Sequence, residues 1–390
     1  MPTRKTRRRQ RGSGPWRQGA DTCVVKPIVA CQGPQPNLPR GPNAYISRVT
    51  DPTDRAKLVE DLLKTKFKIL IDADWVTAYT VACTPKYKPS DLVPDPSFYR
   101  KYPTNTGLAC EQKIYPFNRT PDELRYDAFR RGISETQNLN YESHNQVNML
   151  SERAGDAFAD FKSGVPIREA FLMFQNAMSA AVELVPDDGP WIIHTDLHAN
   201  NILQSSKYTA SPKFMLHDWG RSLVIMDPRT PQGITSGVAE FVNEVYPPAK
   251  WGKIPTGWQM PPELVKAAEE LKSLKDAINA KNAGITPESN VAKLRVWTIY
   301  IVFKNILAHF AVPDRHTEIH PPPTIPDSQL IKGRDITIWR EKVLNDILIY
   351  LIQHAASQAL LVGAINSIAT KLLMKKGTRT IRYVVDPVPI

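Results

Sequence analysis

Two short apolar runs, each ending in a cluster of acids and amides, constrain this chain more than any other feature. The first is WIIHTDLHANNIL, Trp191 to Leu203, in which His194, Asp196, His198, Asn200 and Asn201 stand between Ile- and Leu-containing flanks. The second is FMLHDWG, Phe214 to Gly220, where Asp218, Trp219 and Gly220 follow a short apolar run. Runs of this length bounded by turn residues read as buried strands, so the polar residues fall on the connections between them. Such a connection is either a polar turn whose Asp and Asn bond their own backbone or a set of oxygens held for chemistry.

The spacing favours chemistry. His194, Asp196, Leu197 and Asn201 match H-x-D-L-x-x-x-N, and Asp218-Trp219-Gly220 matches D-F-G with Trp in place of Phe. On these residues the chain resembles the protein-kinase-like superfamily, which also contains small-molecule phosphotransferases of the aminoglycoside and choline kinase type. HTDLHANNIL, preceded by NMLSERAG, looks more narrowly like the divergent serine/threonine kinase-like proteins of large DNA viruses. The likeness covers residues 60 to 310 and is specific at 146 to 220.

The resemblance implies an α+β, bilobal protein-kinase-like fold, with a small β-rich N-lobe and a mainly helical C-lobe. It divides the chain into a basic arm and extended lead-in at 1–45, an N-lobe at 46–152 and a C-lobe at 153–390 with a helical extension. ATP and Mg²⁺ are the implied cofactors, and a protein substrate is the implied partner. Phosphoryl transfer needs charge neutralisation across the β- and γ-phosphates, and Mg²⁺ takes oxygen ligands, so Asn201 and Asp218 are the expected metal ligands. Asp196 is the expected base for the attacking hydroxyl. His198 stands where serine/threonine kinases keep a Lys that touches the γ-phosphate. It either serves there at lower pH or hydrogen-bonds the loop. His194 is expected to pack beneath the loop and bond backbone groups, and Gly220 to allow a sharp turn.

Other landmarks follow from the same likeness. VNMLSERAGDAFADF is similar to the last N-lobe strand and hinge, which puts Glu152 and Arg153 near an adenine. CEQKIYPF resembles the helix whose acid, here Glu111, pairs the ATP-binding Lys; Glu123 competes for that role. MPPEL, Met260 to Leu264, resembles the close of the activation segment, with Glu263 as its acid. The departures are specific: Thr84 occupies the strict Lys position and leaves Lys86 or Lys88 as substitutes. No G-x-G-x-x-G precedes it, and LIDADWV, with Asp72 and Asp74, would repel phosphate. Thr195 replaces the Arg that usually precedes the catalytic Asp, so the loop lacks the cation that reads an activating phosphate. Arg295 stands where the family usually places a buried Asp, on a helix that also reads as plain core with Trp297, Tyr300 and Phe303 inward.

Composition bounds the alternatives. With 390 residues, 42% of them hydrophobic and 23% charged, the chain has material for two globular lobes and is neither disordered nor fibrous. The net charge of +11 is concentrated at Arg4, Lys5, Arg7, Arg8, Arg9 and Arg11, followed by Gly12, Ser13, Gly14 and Pro15. Residues 1–14 therefore read as a flexible arm able to neutralise phosphates, with nucleic acid or other virion proteins as partners. A kinase-fold structural or virion protein with weak catalysis is the competing function, and a small-molecule phosphotransferase is a second.

Cys23, Cys31, Cys83 and Cys110 show no metal or redox spacing and are expected as reduced thiols. No apolar region follows the basic N-terminus, and Gln353, His354, Ser357, Gln358, Asn366 and Ser367 interrupt the apolar stretch Ile347 to Met374. The expectation is an intracellular protein of host cytoplasm or nucleus, or one packaged in a virion, without a membrane span. Residues 17–45 read as irregular lead-in. DRAKLVEDLLKTKF reads as a helix, KILIDADWVTAYTVAC as a strand pair, and Thr104–Phe117 and Pro121–Ser134 as helices.

Overall fold

A computed structural model describes residues 14–18, 23–50, 55–86, 146–160, 167–206, 212–245, 288–308 and 336–373. It has mixed α+β architecture and divides into two compact units, one of residues 1–58 and 78–153, the other of 59–77 and 154–390. The segment 59–77 belongs with the later unit. The expected helices at 104–117 and 121–134, Glu111, Glu123, Lys88 and the MPPEL stretch lie outside the described residues, as do residues 1–13 of the basic arm.

The first unit is built on a five-stranded antiparallel sheet. Its strands are β1 (Gly14–Gln18), β2 (Cys23–Lys26), β4 (Tyr45–Thr50), β7 (Val147–Glu152) and β5 (Tyr79–Cys83), in the order β1-β2-β4-β7-β5. The register runs Tyr45 opposite Glu152 and Thr50 opposite Val147. Strands β3 (Ala30–Cys31) and β6 (Pro85–Lys86) form a separate short ladder. Cys23, Val25, Val29, Val49, Met149 and Leu150 are fully buried. Val29 lies between the strands, so side chains satisfy its backbone: its N–H donates to Ser47 Oγ at 2.7 Å, and its carbonyl accepts from Asn148 Nδ2 at 2.9 Å.

Three sequence expectations are corrected here. Residues 17–45 are not an irregular lead-in: they hold part of β1, all of β2 and β3, and the start of β4. Strands of two to five residues interrupted by Pro and Gly leave no run long enough to show alternation. Cys23, Cys31 and Cys83 are not reduced thiols, and Cys110 lies outside the described residues. Cys31 and Cys83 form a disulfide across a Cα–Cα distance of 5.6 Å, Cys23 is also disulfide-bonded, and no cysteine among the described residues is free. Spacing arguments see local pairs, whereas sheet pairing joins residues 52 apart. Finally, KILIDADWVTAYTVAC is a strand only from Tyr79 to Cys83. Its first part is the helix α2 (Lys68–Asp72), which buries Leu70. A short apolar run carries no period that separates the two.

The second unit surrounds one large core. Helix α1 (Arg55–Lys66) brings Val59 and Leu63 to it and leaves Leu58 exposed. Helix α3 (Ile167–Glu183) is amphipathic and buries Ala170, Phe174, Ala177 and Ala181 completely. Phe158 meets Phe174 and Phe214 edge-to-face, and Phe174 and Phe214 are tilted against each other, with centroids 4.4 to 5.2 Å apart.

Two antiparallel ladders lie in this unit. One pairs β8 (Trp191–His194) with β11 (Ser222–Ile225), and the other pairs β9 (Ile202–Gln204) with β10 (Phe214–Leu216). Helix α4 (Pro231–Val245) packs on β11 through Gly237, where an added Cβ would meet the Val224 carbonyl oxygen at 2.6 Å. Helices α5 (Glu288–Ala308), α6 (Ile336–Gln353) and α7 (Gln358–Leu373) complete the core. The interrupted apolar stretch Ile347 to Met374 thus covers the end of α6 and the whole of α7. Among the described residues no helix is long and apolar enough to cross a membrane.

Candidate active site

The two polar clusters of the sequence lie on neighbouring connections of the second unit. One leaves β8 and enters β9 at residues 195–201; the other leaves β10 and enters β11 at residues 217–221. Because β8 pairs with β11 and β9 with β10, both ends of each connection are tied to the other's strands. His194 lies opposite Ser222, and Ile202 lies opposite Leu216.

Backbone bonds draw the connections together. The His217 N–H donates to the Asn201 carbonyl at 3.0 Å, and Thr195 Oγ1 donates to the Arg221 carbonyl in a short bond. His194 spans the gap. Its Nδ1 lies 3.3 Å from the Asp196 N–H, and its Nε2 lies 2.8 Å from the His217 carbonyl. A backbone N–H can only donate and a carbonyl can only accept, so the ring is the neutral tautomer carrying its proton on Nε2. His194 is completely buried, and that burial lowers its pKa from the ordinary value.

Asp218 has φ of 67°, in the left-handed region that non-glycine residues rarely occupy. Anchors on both sides hold it there. His217 Nδ1 lies 2.7 Å from Thr77 Oγ1, and the buried Trp219 indole N–H donates to the Thr77 carbonyl at 2.7 Å. Trp in place of Phe therefore adds a hydrogen bond that a phenyl ring could not make. The Asp218 side chain between these anchors is exposed.

The Asp196 carboxylate sits between two basic groups. His198 Nε2 is 4.0 Å from one oxygen, and Arg221 Nε is 3.9 Å from the other. Burial pushes the Asp196 pKa above the ordinary carboxylate value, as does the neighbouring charge of Asp218, while His198, Arg221 and His194 oppose the rise. The Asp196 carbonyl accepts Asn201 Nδ2 at 2.8 Å, which fixes the buried amide. His198 also caps the 3-10 turn Ala199–Asn201, its Nδ1 accepting the Asn200 N–H at 3.3 Å. Of the two roles read for His198, loop hydrogen bonding is the one with a contact.

Helix α5 supports the loop from its buried side. Thr298 Oγ1 accepts the His194 N–H at 3.0 Å, and Asn305 Nδ2 lies 3.4 Å from the Leu197 carbonyl. Arg221, Thr298 and Asn305 escaped the sequence reading, as did the lock made by Thr195. Only Arg221 carried a signal, a cation directly after D-W-G.

Asp196, His198, Asn201 and Asp218 are thus brought together. The remaining candidates belong to the first unit. Lys86 is an exposed residue of β6, and its side chain makes no ion pair among the described residues. Glu152 pairs with Arg40 at 3.0 Å, and the Arg153 N–H donates to the Ala44 carbonyl at 2.8 Å. No protein-family model matches the chain, and no curated protein matches it.

Proposed function

We propose that this chain is an ATP- and Mg²⁺-dependent phosphotransferase with a bilobal protein-kinase-like fold, transferring the γ-phosphate to a serine or threonine hydroxyl of a protein. The observation that carries the reading is the bridge made by His194, which ties the Asp196 connection to the Asp218 connection. A polar turn would need no such bond, whereas a reaction using both carboxylates needs them in fixed relation.

The donor set suits the metal. Among the described residues no group of three or more His, Cys, Asp or Glu could cage an ion. One carboxylate, Asp218, and one amide oxygen, that of Asn201, are hard ligands of the kind Mg²⁺ takes when phosphates and waters complete its shell. Asn201 Nδ2 is already engaged with the Asp196 carbonyl, which leaves Oδ1 as the ligand end. The bound ion would neutralise charge on the phosphates. Asp196 orients the acceptor hydroxyl and takes its proton, and its raised pKa strengthens it as a base.

The test is transfer of labelled phosphate from Mg-ATP to the chain itself or to a generic basic or acidic protein. Wild type is expected to transfer; Asp196→Asn and Asp218→Ala are expected to lose the signal while remaining folded. Absence of transfer and of any Mg-ATP thermal shift in wild type would sink the reading.

A second reading is favoured by Lys86, which pairs with no described acid. On that reading the chain is a kinase-fold binding protein with little catalysis, engaging nucleic acid through its basic arm. It predicts salt-dependent binding that disappears when residues 1–14 are deleted, with no response to Mg-ATP.

A further inference from the structure

We propose that Arg221 is the positioning residue for the Asp196 carboxylate, supplying from the second connection the cation that Thr195 leaves missing from the first. This rests on the phosphotransferase reading. Three features hold Arg221 in place. Ser222, the next residue, is registered opposite His194 at the end of β8. The Arg221 carbonyl accepts the Thr195 hydroxyl, and Thr195 is completely buried, so solvent does not compete for that bond. The Arg221 side chain is itself largely buried, with 18% exposure.

At 3.9 Å, Arg221 Nε is beyond direct hydrogen-bond distance of Asp196 Oδ2, and His198 Nε2 at 4.0 Å is equally beyond Oδ1. The two flank the carboxylate without occupying either oxygen, so both remain open to a substrate hydroxyl. A guanidinium keeps its charge at every physiological pH. Asp196 is therefore held by a cation belonging to the fold, with no added phosphate required to organise it.

The experiment measures kcat and KM for Mg-ATP and for a generic acceptor in wild type, Arg221→Ala, Arg221→Gln, Arg221→Lys and Thr195→Val, with thermal unfolding of each. Loss of positioning is expected to lower kcat about tenfold or more in Arg221→Ala and Arg221→Gln, with KM for Mg-ATP within about twofold. Arg221→Lys is expected to recover most of kcat. Thr195→Val, which removes the lock but keeps the guanidinium, should fall between. Wild-type kcat in either Ala or Gln variant, or a raised KM at constant kcat, overturns the proposal. Arg221→Gln preserves side-chain length and decides the matter if the Ala variant does not fold. An inactive wild type would overturn the phosphotransferase reading and this role together, whereas an active wild type indifferent to Arg221 overturns this role alone.

Discussion

His194 Nε2 donates to the His217 carbonyl at 2.8 Å, so one fully buried imidazole joins the connection that carries Asp196 to the one that carries Asp218. The Asp196 N–H, which donates to Nδ1 on the same ring, requires the neutral form, and burial favours that form by lowering the pKa. In the unfolded chain a histidine takes up its proton below about pH 6.5. The folded chain resists that uptake to lower pH, so across this window the unfolded state binds more protons and stability falls as pH falls. Urea unfolding between about pH 7.5 and 5.5 should show this loss in wild type and a shallower one in His194→Gln. That variant should also be less stable at the upper pH, by about 1–3 kcal/mol, because it disturbs a buried bonding pair. Identical slopes would remove His194 from the pH response.

Arg295 is the polar keystone under the same core. Its Nη1 donates to the Ala355 carbonyl at 2.8 Å, its Nε and Nη2 to the Val185 carbonyl at 3.2 and 3.0 Å, and Nη2 also to Asp187. The guanidinium stands 5.2 Å from the Trp191 ring centre. Asp187 is half exposed and also accepts the Gln358 N–H at 2.9 Å, at the start of α7. Arg295→Met strips buried carbonyls of their donors and should cost about 3–5 kcal/mol. Asp187→Ala loses a helix-capping acceptor that water can partly replace, and should cost about 1 kcal/mol. Denaturant midpoints give the ranking, and a larger loss for Asp187→Ala would contradict it.

Two helical glycines should respond to alanine with opposite signs. At Gly237 a Cβ would stand 2.6 Å from the Val224 carbonyl oxygen, so the helix must move off β11; at Gly363 nothing lies within 4 Å. Alanine gains about 1 kcal/mol over glycine in a helix interior, whereas overpacking against backbone costs about 1–3 kcal/mol. Gly363→Ala should therefore raise the melting temperature and Gly237→Ala should lower it. Thermal scans that move both variants the same way would show that α4 does not need the close approach.

What the sequence displayed was local. Helix α3 showed its apolar face, and Trp191–His194 and Phe214–Leu216 were recognisable as apolar runs between turn residues. The pairing of Asp196 with Asn201 was a matter of spacing within one loop. What stayed hidden depends on neighbours distant in the chain. Cys31 reaches Cys83 only through sheet pairing, Thr195 reaches Arg221 only because β8 registers with β11, and Thr298 meets His194 from a helix 104 residues later. Leu70 shows the converse: its neighbours read as a strand, yet burial against the core is achieved by a short helix.

Asp196 gives the last expectation. Its carboxyl is raised above the ordinary value chiefly by burial, and Arg221 and His198 pull against that rise. A base acts only when ionised, so kcat/KM for phosphate transfer should fall on the acid side at a pH above the carboxylate reference of about 3.9. Arg221→Gln removes one of the opposing cations, so its acid limb should move to higher pH than that of wild type. His198→Gln should shift it the same way only where His198 is protonated. Rate profiles of the three proteins, taken with each shown to be folded across the range, make the comparison. An acid limb that stays in place in Arg221→Gln would mean that the guanidinium does not act on the Asp196 carboxylate.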